Sequence, residues 1–173
     1  QAATGAPAGS LTSVSSVMFY LVAYGAATIG SFALLTTVRD SGGEATLLSS
    51  WTGLGRRSPV VALAFSVFLL SFAGIPLTSG FIGKWAVFAS AWSGGARWLV
   101  VVAVLMSVVA AFFYIRVIVL MFFSDPIQAA PVVVRPGWTT LTAVGVGVLA
   151  TVALGVFPGP LLDLAQTAGE FLR

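Results

Sequence analysis

Long apolar stretches alternate with short polar connections along this chain of 173 residues. A helix needs about 20 consecutive apolar residues to cross roughly 30 Å of hydrocarbon. Four stretches are long enough, and they lie at about 14–38, 60–92, 97–123 and 138–157. The pattern therefore predicts an all-α integral membrane fold with four transmembrane helices.

The second stretch is too long for one upright span, because a continuous helix over 60–92 would measure about 50 Å. Gly74-Ile75-Pro76 is the predicted interruption, since Pro76 lacks a backbone N–H and clashes with the preceding turn. Gly80 adds further weakness, so the break is expected near 74–80. Non-helical backbone at this depth needs protein or water to satisfy its polar groups. The break should therefore face the protein interior.

Two polar segments outside the spans also carry predictions. The first span is expected to stop at the charged, glycine-rich run 39–43, and Trp51 and Leu54 in the following loop are expected at the membrane interface. After Pro158-Gly159-Pro160, apolar residues recur at helical spacing and predict a short amphipathic helix on the interface. These residues are Leu161, Leu164, Ala165, Ala168 and Leu172.

The composition excludes several classes of function. Hydrophobic residues make up 58% of the chain and charged residues 8%, far below the roughly 25% of ordinary soluble domains. The net charge of +3 comes from scattered residues, so no basic patch is available to bind nucleic acid. The chain has no Cys and no His, and it lacks the usual ligands of haem, zinc and iron-sulfur centres. Any redox chemistry is therefore expected in other proteins.

Lys84 is the single charge in the second stretch, and a break near Pro76 places it close to mid-membrane. A charged lysine at that depth costs at least a few kcal/mol, so an intramembrane ionisable group is a functional-site hypothesis by default. Desolvation disfavours the ammonium form, which makes Lys84 a candidate proton relay. The alternative is an amine that reaches an interface one or two turns away.

No acidic residue of the chain is placed to pair with Lys84 at depth. The acidic residues all fall in predicted loops or near the C-terminus: Asp40, Glu44, Asp125, Asp163 and Glu170. The counter-charge is expected from further sequence, another subunit or water. Because the chain opens at Gln1 without an initiator Met, we expect that the N-terminal part of a longer protein is missing.

Hydroxyl-bearing residues near Lys84 are weaker candidates for lining a proton path. The candidates are Tyr20, Tyr24, Thr28, Ser71, Thr78 and Ser79. Simple helix packing is an alternative for the tyrosines, and the residues flanking the break can instead recapture freed backbone groups. Arg116 is expected to reach lipid headgroups.

Arginine is unevenly distributed between the connections. The connections after the first and third spans hold Arg39, Arg56, Arg57 and Arg135, whereas the opposite side has only Arg97 and Arg173. Positive residues favour the cytoplasmic side. We therefore expect both ends of the chain outside, and the connections that contain Arg57 and Arg135 in the cytoplasm or its equivalent.

Four segments carry a family resemblance. The chain reads FAGIPLTSGFIGK at 72–84, MFYLVAYG at 18–25, GLGRRSP at 53–59 and AFFYIRV at 111–117. In these segments it resembles the C-terminal part of subunit N of the bacterial proton-pumping NADH-quinone oxidoreductase, respiratory complex I, an antiporter-like family related to Mrp antiporters. The resemblance implies a fragment of a larger fold of about fourteen helices in a bacterial plasma (inner) membrane.

By this resemblance, Lys84 occupies the position of the family's lysine on the broken helix near the outer half-channel. Subunit M has Glu there and subunit L has its lysine in a different local sequence, so a lysine within GFIGK favours subunit N. The family's other central residues, a glutamate and two lysines on earlier helices, have no counterparts here. The resemblance implies neighbouring antiporter-like and small membrane subunits as partners, with FMN, iron-sulfur clusters and quinone in other subunits and no cofactor in this chain. An Mrp-type cation/proton antiporter subunit and a purely structural membrane subunit are the alternatives.

Overall fold

The protein is described by a computed structural model that covers residues 13–40, 42–126 and 131–171. These ranges are mostly helical, as the sequence predicted. The helices are α1 (Ser13–Leu35), α2 (Leu54–Arg57), α3 (Pro59–Ala73), α4 (Ser79–Ser93), α5 (Arg97–Phe123), α6 (Trp138–Val156) and α7 (Gly159–Phe171), with a 3-10 turn at Leu48–Trp51. By length and composition, α1, α5 and α6 can each cross a membrane.

Helix α1 is the centre of the bundle and packs against α3, α4, α6 and α7. One cluster of buried side chains joins α1, α3 and the start of α2, and it includes Leu34, Phe68 and Leu54. Helix α5 packs mainly on α3 but is otherwise bare, since only Val100 and Met121 of its residues are buried within the described chain. Most of the apolar surface of α5 is therefore free to meet lipid or further protein.

The second apolar stretch forms two helices instead of one. Helices α3 and α4 have 15 residues each and are separated by residues 74–78. Each measures about 22 Å, less than the roughly 30 Å of hydrocarbon. Gly80, which was expected within the break, lies in the first turn of α4.

The prediction that the first helix continues to Val38 is wrong. Helix α1 ends at Leu35, where the hydroxyls of Thr36 and Thr37 donate to the carbonyls of Ala33 and Leu34 at 2.8 and 2.7 Å. These local bonds compete with helical hydrogen bonds and favour a stop.

The charged, glycine-rich run at which the first span was expected to stop contributes to a small β-sheet. Strand β1 (Val38–Asp40) pairs antiparallel with β2 (Gly43–Glu44) and with β3 (Val132–Val133) in the order β2-β1-β3. The sheet therefore joins the connection after α1 to the connection after α5, at one end of the bundle.

Trp51 and Leu54, expected at the membrane interface, are buried within the protein. Leu54 is fully enclosed, and the Trp51 ring packs on Phe65 with centroids 4.9 Å apart. The indole N–H of Trp51 donates to the carbonyl of Ala45 at 3.2 Å. This loop folds back onto the helices because its aromatic side chain finds both apolar contact and a hydrogen-bond acceptor there.

Arg57 ties the same loop to its neighbours. Its guanidinium donates to the carbonyl of Pro131 and, at 3.3 Å each, to those of Ser50 and Thr52. Burial lowers the pKa of Arg57, but a guanidinium remains charged at neutral pH. The adjacent Arg56 makes an exposed ion pair with Asp125 at 2.7 Å.

Helix α7 packs on α1, with Ala165 buried against Phe19 and Ala23 and with Leu161 and Leu162 beside them. Leu164 was predicted to share the apolar face but is exposed. Leu162 instead packs against the buried residues. Leu172 lies outside the described residues.

Candidate functional site

The break begins with a helix-ending turn at Gly74. Its φ of 79° is left-handed, a conformation that glycine adopts without steric cost. The Gly74 N–H donates to the Ser71 carbonyl and the Ile75 N–H to the Leu70 carbonyl, both at 3.0 Å. This pair of bonds is the Schellman motif, which satisfies two of the free carbonyls at a helix end.

The Phe72 carbonyl is satisfied by Lys84. In a continuous helix it would accept from the N–H four residues later, but that residue is Pro76, which has none. The Lys84 Nζ lies 2.8 Å from this oxygen and donates to it. The same proline that interrupts the helix therefore leaves an acceptor for the lysine one turn into α4.

Ser71 joins the two helices on the other side of the break. Its Oγ accepts a hydrogen bond from the Gly80 N–H at 3.1 Å and lies 3.4 Å from the Ser79 Oγ. The Gly80 N–H is one of the donors that the start of α4 cannot satisfy internally. A Cβ on Gly80 would lie 1.9 Å from the Ser71 carbonyl oxygen, so only glycine fits this approach.

The backbone between the helices is held by Thr78 and by α6. The Thr78 Oγ1 donates to the Ile75 carbonyl at 2.7 Å. Gly155 of α6 lies so close to this backbone that a Cβ there would be 2.3 Å from the Leu77 carbonyl oxygen. Leu77 has a positive φ of 72°, a strained conformation for a residue with a side chain. The break is therefore covered by protein on its α6 side.

Lys84 lines two cavities that open between α4 and α5. One, of about 340 Å³, reaches Gly74 and Ala111, and the other, of about 460 Å³, reaches Tyr20 and Ala110. Ser107 of α5 lines both. The amine thus has a backbone acceptor on one side and open volume with a hydroxyl on the other.

All three tyrosines of the chain lie near the break. Tyr20 and Tyr24 stack with ring centroids 5.4 Å apart, and Phe72 lies 5.4 Å from Tyr24 and 5.8 Å from Tyr114. Of these tyrosines, Tyr20 lines a Lys84 cavity. Both the packing interpretation and the path-lining interpretation of Tyr20 fit this arrangement.

Neither Thr28 nor Arg116 is among the residues that line the two Lys84 cavities. The Thr28 Oγ1 is buried and has no hydrogen-bond partner among the described residues. Arg116 is exposed on α5, on the face that the rest of the described chain leaves free. In the described ranges, no ion pair to Lys84 occurs and no group of His, Cys, Asp or Glu side chains is placed to bind a metal.

Three features of the site escaped prediction from sequence. The Phe72 carbonyl was identifiable as a free acceptor, because it lies four residues before Pro76. Ser107 is an isolated hydroxyl in an apolar helix, which was a weak signal. The approach of Gly155 to the break depends on how α6 packs and leaves no local signal.

Most of the chain, including the broken helix and its lysine, matches a known protein family. The family described as "NADH:quinone oxidoreductase/Mrp antiporter, TM" matches residues 3–110. The chain belongs to this family. Its sequence is 62% identical to NADH-quinone oxidoreductase subunit N 3 of Streptomyces griseus and 58% identical to subunit N of Rhodococcus opacus, over 98% of the chain in each case. These relatives confirm the resemblance to subunit N.

The chain spans about a third of the length of these relatives, 30% and 32% respectively. Among solved structures, a chain of respiratory complex I from Thermus thermophilus with bound aureothin matches with a TM-score of 0.75 and 35% identity, over 87% of this chain and 34% of that one. A chain of the Mrp complex from Dietzia matches with a TM-score of 0.74 over 90% of this chain and 37% of that one. At 22% identity, the Mrp match shows a shared fold alone.

Proposed function

We propose that this chain is part of a proton-translocating membrane subunit of NADH-quinone oxidoreductase, and that Lys84 relays protons within it. The relatives named subunit N support the complex I assignment. The hydrogen bond from Lys84 to a carbonyl at a helix break, beside two open cavities, is the observation that carries the relay. The subunit itself transfers no electrons; flavin, iron-sulfur clusters and quinone belong to its partners.

In this proposal α3 and α4 together form one membrane crossing. Each is too short to span alone, and only residues 74–78 separate them, so the pair fills the membrane as a discontinuous helix. With α1, α5 and α6 this gives four crossings. The exposed face of α5 and the cavities beside Lys84 are then covered by the remainder of the subunit.

The sidedness follows from charge. The connections with Arg39, Arg56, Arg57 and Arg135 lie at the end of the bundle that holds the small sheet. The opposite end holds Ser13, whose hydroxyl accepts from Ser90 at 3.0 Å. We place the sheet in the bacterial cytoplasm and the Ser13 end outside.

An Mrp-type antiporter is the second candidate, because the Mrp complex shares the fold. The two candidates differ in their partners. The full-length protein that contains this chain can be tagged and purified. Co-purification with flavin and iron-sulfur subunits is expected for complex I, whereas recovery with cation/proton antiporter subunits alone would favour the Mrp assignment.

The relay is tested by replacing Lys84 with methionine in the full-length subunit. Lys84→Met keeps the length of the side chain and removes the proton-carrying group, so NADH-driven proton pumping should be strongly reduced in an assembled complex. Inverted membrane vesicles and a pH-sensitive dye provide the measurement. Wild-type pumping by an assembled Lys84→Met complex would instead support a purely structural subunit in which the lysine is tolerated.

A further inference from the structure

An apolar groove runs along the surface between α1 and α6, and no residue of α5 lines it. Its volume is about 590 Å³. The only polar side chain in its lining is Thr142, whose hydroxyl already donates to the Thr139 carbonyl at 2.8 Å. Both helices contribute to the lining, which includes Leu21, Gly25, Ile29, Thr142, Val146 and Gly147. We call it the α1–α6 groove.

Small residues give the groove its shape. At its base the two helices touch, since a Cβ on Gly147 would lie 3.0 Å from both the Gly30 Cα and the Ala26 carbonyl oxygen. Gly25 instead faces open space, because a Cβ there would meet nothing within 4 Å. Three branched side chains along the groove are each more than half exposed: Leu21, Ile29 and Val146. A narrow apolar slot without free polar groups suits a hydrocarbon chain.

Two arginines lie at the end of the α1–α6 groove that adjoins the small sheet. Arg39 follows the C-terminal end of α1, where its Nε donates to the Thr36 carbonyl at 3.4 Å. Arg135 lies just before α6. The pairing of β1 with β3 and a bond of 2.8 Å from the Val134 N–H to the Thr37 carbonyl bring these two connections together. Both arginines are exposed, and neither forms an ion pair among the described residues.

The acidic residues of the sheet leave these arginines available. Glu44 lies opposite Arg39 on β2, which is on the other side of β1 from β3. The Asp40 carboxylate accepts from the Gly42 N–H at 2.9 Å. Within the described ranges, neither carboxylate forms an ion pair with Arg39 or Arg135. The end of the groove therefore offers two guanidinium groups to an external anion.

Trp138 marks the level of the lipid headgroups beside the groove. It begins α6, is 78% exposed, and lies one helical turn before Thr142 on the same face of the helix. Tryptophan is enriched at the boundary between hydrocarbon and water. The groove thus lies in the hydrocarbon region directly below an interface that carries Arg39 and Arg135.

We infer that the α1–α6 groove binds an anionic phospholipid from the leaflet on the side of the small sheet, with an acyl chain between the helices and the phosphate at Arg39 and Arg135. From Leu21 to Ile29 the groove measures about 12 Å along α1, comparable to the roughly 15 Å of one leaflet. Guanidinium groups match phosphate oxygens with paired hydrogen bonds, and basic residues at the membrane surface attract anionic lipids. The inference requires that α1 and α6 cross the membrane, and it does not depend on Lys84.

Photocrosslinking tests what occupies the groove. The photoreactive residue p-benzoylphenylalanine is introduced at position 29 of the full-length subunit, and the intact complex is reconstituted with phosphatidylglycerol and an excess of phosphatidylethanolamine. Mass spectrometry of the adducts should show phosphatidylglycerol enriched roughly fivefold or more over its share of the vesicle lipid. Adducts with peptides would show that protein covers the groove, and lipid adducts in the bulk ratio would show an unselective boundary. Either result would overturn the inference.

Replacing the two arginines tests the headgroup contact. With the same reporter at position 29, the double variant Arg39→Gln and Arg135→Gln should return the adducts to the bulk lipid ratio. The matched control is Arg56→Gln, which removes an exposed arginine that is paired with Asp125 and should leave the enrichment unchanged. Undiminished enrichment in the double variant would overturn the assignment of the phosphate to Arg39 and Arg135.

Filling the groove tests the position of the acyl chain. Gly25→Phe places a ring in the open space of the groove and should lower the yield of lipid adducts at position 29 severalfold. Gly145→Phe is the control, because Gly145 also faces open space but does not line the groove. An undiminished yield in Gly25→Phe would place the lipid outside the groove and contradict the inference.

Discussion

Arg57 and Lys84 both donate hydrogen bonds to backbone carbonyls, but in different surroundings. Arg57 donates to three carbonyls of the loops around it, which fixes its position and leaves little freedom. Lys84 donates to one carbonyl and otherwise faces open cavities. The first arrangement suits a structural anchor and the second a group that exchanges protons.

Arg57→Lys is expected to loosen the loop around Trp51. One ammonium cannot reproduce the planar donor set of a guanidinium, and hydrogen bonds to charged groups contribute about 1.5–3 kcal/mol. Amide exchange over 46–58, measured by mass spectrometry on the assembled complex, should accelerate roughly tenfold to a hundredfold.

Arg56→Lys is the matched control for this loop. Arg56 and Asp125 are 62% and 86% exposed, and such surface pairs contribute about 0–1 kcal/mol. Exchange should therefore remain close to wild type. Equal acceleration in both variants would show that Arg57 has no special anchoring role.

At the level of elements, specific hydrogen bonds connect α3 and α4 across the break. Ser71 accepts from the start of α4, Lys84 donates to the end of α3, and Thr78 binds the connecting backbone. These bonds satisfy part of the backbone that the interruption frees, as the membrane interior demands.

Gly80→Ala should disrupt this joint. The added Cβ would lie 1.9 Å from the Ser71 carbonyl oxygen, so α4 must move away from α3. Overpacking of this kind costs about 1–3 kcal/mol, and less assembled subunit should survive heating. Gly145→Ala on α6 meets nothing within 4 Å and should be recovered like wild type. Equal heat resistance of both variants would mean that the close approach is absent.

The sequence predicts some of these elements and not others, for physical reasons. Local signals predict the first group: the length of the apolar stretches predicts the helices, and Pro76 predicts the position of the interruption. The lone charge of Lys84 in an apolar stretch marks the candidate site residue. The pairing of 38–40 with 132–133, the burial of Trp51 and the contact of Gly155 with the break depend on residues far apart in the chain. Local patterns carry no information about such contacts.

For the whole molecule, the chain corresponds to only part of the length of its relatives. It spans about a third of its relatives, α5 is largely uncovered, and no acidic side chain in the described ranges pairs with Lys84. We expect the counter-charge for the lysine to come from the remaining protein or from water.

Sidedness is testable with two exposed positions. Ser49 lies at the end with the sheet and Thr167 lies on α7, at the opposite end. Cysteines placed there should react with a membrane-impermeant reagent from opposite sides, Ser49→Cys from the cytoplasm and Thr167→Cys from outside. Reaction of both from one side would contradict the proposed topology.

The central claim is that Lys84 carries protons reversibly instead of serving as a fixed charge. The most direct measurement is NADH-driven proton pumping by an assembled Lys84→Arg complex, beside wild type at equal NADH oxidation. Arginine keeps the charge but remains protonated near neutral pH. The account predicts that pumping falls well below wild type, toward the level of Lys84→Met. Pumping equal to wild type would show that the charge alone is sufficient and would contradict the relay.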